Sequence, residues 1–269
     1  MRKSNLIFVI VALFMSSCEE IPPVVSGTSS PRKVLIEEFT GVRCVNCPAG
    51  SALIEDLLAA HGDQLVAVSI HAGVFAPPYP QSKYDFRTQE GTQIQSYVGE
   101  PFGYPSAVVN RKLFNGESSL QLGSGKWAGF IGLEKGIPPK VKIDVTTAFD
   151  PGSRNLQAEV TLFMEETIAD ADVRLSLYIT ESGIVDYQLV PGSTSPKPDY
   201  VHKHVLRGTI TNYDGTPINE SLKAGSQITR TFNYTLPANW KEENCKLVTF
   251  VSLAGNNKEV LQAHESSIY

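Results

Sequence analysis

From Val34 to Phe39 the chain runs VLIEEF, a compact and mostly apolar stretch that predicts a buried strand. Leu53, Ile54, Leu57 and Leu58 then recur at helical spacing, and His61 with Gly62 supplies a stop, so a helix is expected between them. Leu65 to Ile70 is a second short apolar run. Strand, helix and strand within about 40 residues is the length of a parallel βαβ unit. An irregular stretch follows from Ala72 to Gln89, and Gly103, Tyr104, Pro105 and Ser106 then lead into the apolar Ala107, Val108 and Val109. Ser124 is placed to cap a helix carrying Trp127, Phe130 and Ile131 on one side and ending near Gly136.

Pro138 and Pro139 mark a border, beyond which the period changes from helical to two. Val141, Ile143, Val145, Thr147 and Phe149 alternate with polar residues, Asp150 to Ser153 makes a turn, and Leu156, Ala158, Val160, Leu162 and Met164 alternate again. That pattern is a hairpin. Val173, Leu175, Leu177 and Ile179 repeat the period, and weaker runs surround Val205, Phe232 and Val251. Roughly six to eight antiparallel strands are expected, arranged as an Ig-like β-sandwich. Pro191, Pro196 and Pro198, with several Ser and Gly, predict a long exposed loop between Gly183 and Tyr200.

The chain has 269 residues, which suits two domains, and its 42% hydrophobic and 19% charged content belongs to folded globular protein. A net charge of -5 with no basic block argues against nucleic acid as a partner. Four cysteines are too few for a disulfide-framework protein.

Arg2 and Lys3 precede an apolar run from Leu6 to Phe14, which is too short to cross about 30 Å of hydrocarbon and suits a secretory signal. Met15, Ser16, Ser17 and Cys18 follow, a sequence that resembles the lipobox of bacterial lipoproteins and implies Cys18 as the lipid-attachment residue. The alternative is an ordinary signal peptide in which Cys18 is incidental. Glu19 to Pro31, without helical or alternating period, reads as a tether. The expected organisation is a signal peptide over 1–17, a lipidated tether over 18–31, an α/β domain over 32–137 and an all-β domain over 138–269. The membrane is then a partner through the N-terminal lipid.

Candidate chemistry gathers at the end of the first strand, where Cys44, Val45, Asn46 and Cys47 form a CxxC and Pro48 opens the helix. Unpaired backbone N–H groups and the positive end of the helix dipole favour a thiolate on Cys44, and Arg43 adds a neighbouring positive charge. Cys44 is thus the expected nucleophile and Cys47 the resolving thiol.

A strand, a CxxC at a helix start, a second strand and then a proline just before an apolar strand resemble the thioredoxin fold. That resemblance implies a cis Tyr104–Pro105 peptide facing the cysteines, and a buried acid at Glu38 that exchanges a proton with Cys47 through a water. Alternation alone leaves open whether Glu37 or Glu38 faces inward, the other pointing to solvent. Arg43, Val45 and Asn46 depart from the residues that thioredoxins carry there. The fold class expected is therefore an α/β thioredoxin-like N-terminal domain followed by an Ig-like β-sandwich.

Elsewhere the signals are weaker. His202 and His204 stand two apart in an expected strand, a spacing that puts both on one face and suits a metal, but no third ligand is evident. Cys245 and His264 are the residues that would have to approach in space. Ordinary histidines and a buried Cys245 thiol are the simpler reading, and neither metal nor cofactor is expected. His61 is read as a helix-end residue and His71 as a strand-end residue near the cleft. No phosphate-binding glycine loop and no hydrolytic triad motif stands in the sequence.

The block LIEEFTGVRCVNCPAG from Leu35 to Gly50, with GYPSAVVNR downstream, also resembles the outer membrane protein 28-related lipoproteins of Gram-negative bacteria. Members of that family place a lipidated thioredoxin-like domain before a β-rich domain, and some have been regarded as surface adhesins or receptors. The resemblance spans nearly the whole mature chain and implies an outer-membrane lipoprotein facing the periplasm or the cell surface. Two functions follow as expectations: thiol-disulfide exchange with envelope proteins through Cys44, Cys47, Glu38 and Pro105, or a lipid-anchored binding or structural protein in which Cys44–Cys47 is a closed local bridge.

Overall fold

The computed structural model describes residues 31–169 and 172–269. The signal segment, Cys18 and all but the last residue of the tether lie outside the described residues. The first half holds β1 (Val34–Thr40), α1 (Cys47–His61), β2 (Leu65–His71), α2 (Gln89–Val98), β3 (Ser106–Val109), β4 (Leu122–Gly123) and α3 (Trp127–Lys135). The second half adds β5 (Val141–Asp150), β6 (Asn155–Met164), β7 (Val173–Glu181), β8 (Ile184–Gln188) and β9 (Lys197–His202). It is completed by β10 (Val205–Thr209), β11 (Thr216–Pro217), β12 (Gln227–Thr235), β13 (Cys245–Leu253) and β14 (Val260–Ser267). Strand therefore dominates and helices are few.

The elements read from periodicity form where expected, with local differences. Helix α2 was hidden because its polar residues outnumber the apolar Ile94 and Val98 that it buries; Thr88 caps it by accepting from the Gly91 N–H at 2.9 Å. Ser124 makes no cap bond but opens a short 3-10 turn, and α3 starts at Trp127.

The border expected at Pro138 is bridged by one sheet. Its strand order is β14-β13-β7-β10-β2-β1-β3-β4, with β11 alongside β7. β10 joins the two halves: it pairs parallel to β2 at Val205–Ser69 and antiparallel to β7, and Ser69 N–H donates to the His204 carbonyl at 2.7 Å. One cross-strand row thus runs Cys245, Glu181, Val205, Ser69, Glu38, Ala107, Leu122. Residues in such a row share a face of the sheet.

That face is covered at one end by α1 and α3, through Ile36, Ile54, Leu57, Trp127 and Ile131. At the other end it is covered by the three-stranded sheet β12-β6-β5, whose Ile143, Leu156 and Val160 pack with Leu177, Leu247 and Val251. The latter is a two-layer sandwich, but one of its layers continues into the N-terminal half. Helix α2 packs on the opposite face, where Ile94 and Val98 meet Leu35, Phe39, Tyr178 and Phe250. Because both faces are covered, β1 and β2 are buried at every position and read as continuous apolar runs.

Candidate functional site

β1 ends at Thr40 and the chain turns tightly into α1. Gly41 is needed there, since a Cβ would lie 2.3 Å from the Phe75 carbonyl group. Arg43 N–H donates to that carbonyl at 3.0 Å and Cys44 N–H to the Gly41 carbonyl at 3.0 Å. Cys44 and Cys47 are joined as a disulfide with their Cα atoms 5.4 Å apart. Cys47 is the first residue of α1 and Pro48 sits in its first turn, so the pair stands at the positive end of the helix dipole. Both cysteines are covered, Cys44 to 3% exposure and Cys47 to 1%.

Arg43 does not serve the pair. Its guanidinium donates to the Pro77 and Pro78 carbonyls at 2.8 and 2.6 Å and stands over the Tyr79 ring, which ties down the segment after β2. Hydrogen-bond donors fixed in the plane of the guanidinium find two carbonyls here, a stronger draw than a neutral disulfide.

Pro105 and Glu38 meet the cysteines through Gly50, which follows Cys47 by three residues and shares its helix face. A Cβ on Gly50 would come within 2.7 Å of the Pro105 ring and 2.9 Å of Glu38 Oε1. The Tyr104–Pro105 peptide is cis, as the resemblance implied. Glu38 and Pro105 are therefore brought to Gly50, one helical turn beyond the disulfide.

The expectation that either Glu37 or Glu38 points to solvent fails, because neither face of the sheet is open. Glu37 is fully buried on the α2 side, where it accepts from Arg111 Nε and Nη2 at 2.7 and 2.6 Å. Glu38 is fully buried under α1 and accepts only from Ser69 Oγ, at 3.0 Å. Ser51 is a second polar neighbour of its carboxyl but makes no bond of good geometry, and Oε1 is left unpartnered. With no cation against it, burial pushes this carboxyl up to about 8.

The loop expected between Gly183 and Tyr200 is instead the β8–β9 hairpin, folded over the CxxC turn. Its inward residues Ile184, Asp186 and Gln188 alternate correctly, but two are polar, so no apolar period showed. Gln188 Nε2 donates to the Gly41 carbonyl at 3.3 Å and the Cys44 carbonyl at 3.1 Å, while Leu189 N–H donates to the Val42 carbonyl at 2.8 Å. Asp186 accepts from the backbone N–H groups of Lys83, Tyr84 and Tyr187 at 2.8–2.9 Å and so fixes the hairpin to the segment after β2. These buried polar residues are what sequence reasoning missed; an aspartate and a glutamine spaced two apart just ahead of a proline-rich stretch is their only signal.

His202 and His204 do not share a face. β9 ends at His202, and His204 has a positive φ of 53°, which turns its ring to Glu55 Oε1 at 2.9 Å. His202 points inward against His71 and Phe86, with ring centroids 5.7 and 4.7 Å apart. Burial pulls His202 down to about 4 and holds His71 well below the ordinary imidazole range. Among the described residues no group of three or more His, Cys, Asp or Glu is placed to hold a metal. His264 lies on β14 and Cys245 is a buried thiol in β13, pushed up by burial to about 12. His61 stands at the end of α1 against Lys135 Nζ at 3.0 Å.

A cavity of about 390 Å³ opens between α1, the end of β2 and the hairpin, and Ser51, Ser69, His71, Gln188, Tyr200 and His202 stand on its wall. On the other side of Pro105 a shallower depression is edged by the exposed Phe102 and by Tyr104.

Among solved structures, HBP35 of Porphyromonas gingivalis is similar over 89% of this chain and 76% of its own, with TM-score 0.71 and 18% identity. A protein from Agrobacterium tumefaciens is similar over 89% of this chain and 96% of its own, with TM-score 0.56 and 15% identity. A domain of the outer membrane lipoprotein Omp28 from Porphyromonas gingivalis aligns with 48% of this chain and 88% of its own, at TM-score 0.33 and 17% identity. No curated protein matches the chain in sequence. Likeness at such identities shows the fold alone, and it extends across both halves. The model of the family described as outer membrane protein Omp28 matches residues 93–268, from α2 through the last strand. That span takes in Pro105, the hairpin over the disulfide and the whole sandwich, and on it the chain belongs to the Omp28 family of Gram-negative outer membrane proteins.

Proposed function

We propose that the chain is an outer-membrane lipoprotein, anchored through Cys18, whose residues 32–137 act as a thioredoxin-like unit in thiol-disulfide exchange with envelope proteins. Residues 138–269 serve as its β domain and face the periplasm or the cell surface. The observation that carries this reading is the convergence of a helix-start CxxC disulfide, a cis proline and a buried, uncompensated carboxyl around Gly50. None of the three is needed merely to hold a sheet together.

In the reducing direction the Cys44 thiolate attacks one sulfur of a substrate disulfide and the other substrate sulfur leaves as a thiolate. Cys47 then attacks Cys44 Sγ; the Cys44–Cys47 bond forms, the mixed disulfide breaks, and two electrons have passed to the substrate. In the oxidising direction a substrate thiolate attacks the resting disulfide and the same steps run backwards, with a re-oxidising partner closing the cycle. Glu38 takes or returns the Cys47 proton.

Mixed-disulfide trapping in the native envelope tests this, using Cys47→Ala in a Cys245→Ser background with non-reducing gels and mass spectrometry. Discrete adducts that vanish when Cys44 is also replaced are expected.

A second reading is favoured by the burial of both cysteines. In it the pair is a closed bridge under the hairpin, and the protein is a lipid-anchored binding or structural protein whose ligand meets the β domain. Absence of adducts from a folded, correctly localised variant would establish this reading in place of the first.

A further inference from the structure

An acid that takes and returns a proton needs a path to solvent, and Glu38 has no exposed surface. The two hydroxyls beside its carboxyl are Ser69 Oγ, which donates to Oε2 at 3.0 Å, and Ser51. Both lie on the wall of the cavity of about 390 Å³ beneath the β8–β9 hairpin. Tyr200, half-buried on β9, stands on the hairpin side of the same cavity, which Ser51 also lines. A hydroxyl both donates and accepts, so it hands a proton on without holding a charge.

Three buried polar atoms at this place have no protein partner: Glu38 Oε1, His71 Nδ1 and His202 Nε2. The two histidines also line the cavity. A space of this size admits several waters, and the two histidine nitrogens supply hydrogen-bonding sites for them. The other end of the cavity opens among the exposed Lys197, Asp199 and Lys203. Carboxyl, Ser69 hydroxyl, cavity and solvent thus stand in series, with Ser51 beside the first step.

We propose that Ser51 and Ser69 pass the Glu38 proton to the cavity under the β8–β9 hairpin, with Tyr200 as its far wall, so that the C-terminal half governs proton access to the acid behind Cys47. The purpose of the relay rests on the exchange reading. When Cys47 closes on Cys44, its thiol proton goes to the Glu38 carboxylate, the Cys47–Cys44 bond forms, and the substrate sulfur leaves with the electron pair of the broken bond. The proton on Glu38 then goes to a serine oxygen as that serine releases its own proton to cavity water. Opening of the disulfide reverses each transfer.

The test uses the full chain in its disulfide form and needs no protein substrate. The infrared carbonyl band of protonated Glu38, identified by its loss in Glu38→Gln, shifts when its proton exchanges after mixing with D2O. The shift is expected to be several-fold slower in Ser51→Ala/Ser69→Ala and in Tyr200→Phe, and near wild type in Ser51→Thr/Ser69→Thr, which keeps both hydroxyls. Equal rates in wild type, the alanine pair and Tyr200→Phe would overturn the relay. A slow alanine pair with an unchanged Tyr200→Phe would overturn the hairpin's part in it. Should the alanine pair fail to fold, Tyr200→Phe decides alone, an unchanged rate counting against the proposal. A relay found in a chain that traps no mixed disulfide would stand while the exchange reading fell, so the two failures are separable.

Discussion

Gln188 Nε2 donates to the carbonyl of Cys44 at 3.1 Å, so a side chain from the second half of the chain holds the backbone of the CxxC turn. The same amide reaches the Gly41 and Leu189 carbonyls, and Gln188 is itself buried. A disulfide covered in this way is reached by a second thiol only when the hairpin lifts. Gln188→Ala is therefore expected to speed reduction of Cys44–Cys47 by dithiothreitol several-fold, followed by quenched alkylation and mass spectrometry. Three carbonyls lose a donor, those of Gly41 and Cys44 keeping a backbone N–H, and the destabilisation of about 1–3 kcal/mol is felt locally. If the rate does not change, the hairpin is no gate and access comes from another side.

Glu38 imposes a pH dependence of known sign. Its carboxyl titrates near the ordinary 4.5 in the unfolded chain and about 8 in the fold, because burial disfavours the charge. Between those values the native state holds more protons than the unfolded one, so stability is greatest below the window and is lost as pH rises through it. In denaturant titrations at about pH 5 and about pH 9, wild type is expected to lose on the order of a few kcal/mol that Glu38→Gln keeps. Parallel losses in the two proteins would mean that the carboxyl is not the group responsible.

Acid acts at the hairpin with the opposite sign. His202 titrates at about 4 in the fold against 6.5 unfolded, burial outweighing the favourable field of the nearby Asp186 carboxylate and the Tyr187 backbone. His71 behind it is likewise held well below the ordinary range, by burial first and then by the charges of His202 and Arg207. A depressed histidine makes the unfolded state the better proton acceptor below 6.5, so stability falls as pH falls through that value towards 4. Amide exchange is expected to show residues 184–202 losing protection at about pH 4.5 before the strands of the large sheet do, and His202→Phe is expected to delay that loss. Simultaneous loss in β1 and β7 would point to global unfolding instead.

What the sequence made legible was whatever alternation or spacing could carry. The βαβ start, the CxxC at the helix and the hairpin β5–β6 announce themselves through apolar period or a short motif, whereas the cis proline followed only from the resemblance to a known fold. Glu37 and Glu38 did not, because alternation tells that neighbours face opposite ways but not that both faces are covered. The β8–β9 hairpin was illegible because Asp186 and Gln188 are buried by hydrogen bonds to backbone, leaving an inward stripe that is polar. The join of the two halves through Val205 and Ser69 was also invisible, since a single parallel pair more than a hundred residues apart leaves no local pattern.

The join has a second anchor, and it yields a stability prediction. Arg111 Nη2 donates both to Glu37 at 2.6 Å and to Tyr178 Oη at 2.8 Å, linking β1 with β7 beneath the rings of Tyr97 and Phe250. All three polar residues are at most 1% exposed. The carboxylate of Glu37 raises the Arg111 pKa despite burial, and the two meet as a buried ion pair at 2.6 Å. Removing one partner leaves an uncompensated buried charge, whereas removing both leaves an apolar gap. Arg111→Met is expected to cost about 3–5 kcal/mol in denaturant unfolding, and Glu37→Leu/Arg111→Met much less than the sum of the single changes. Additive losses would show that the two side chains act separately, and that the sheet is held across the halves by its backbone and apolar contacts alone.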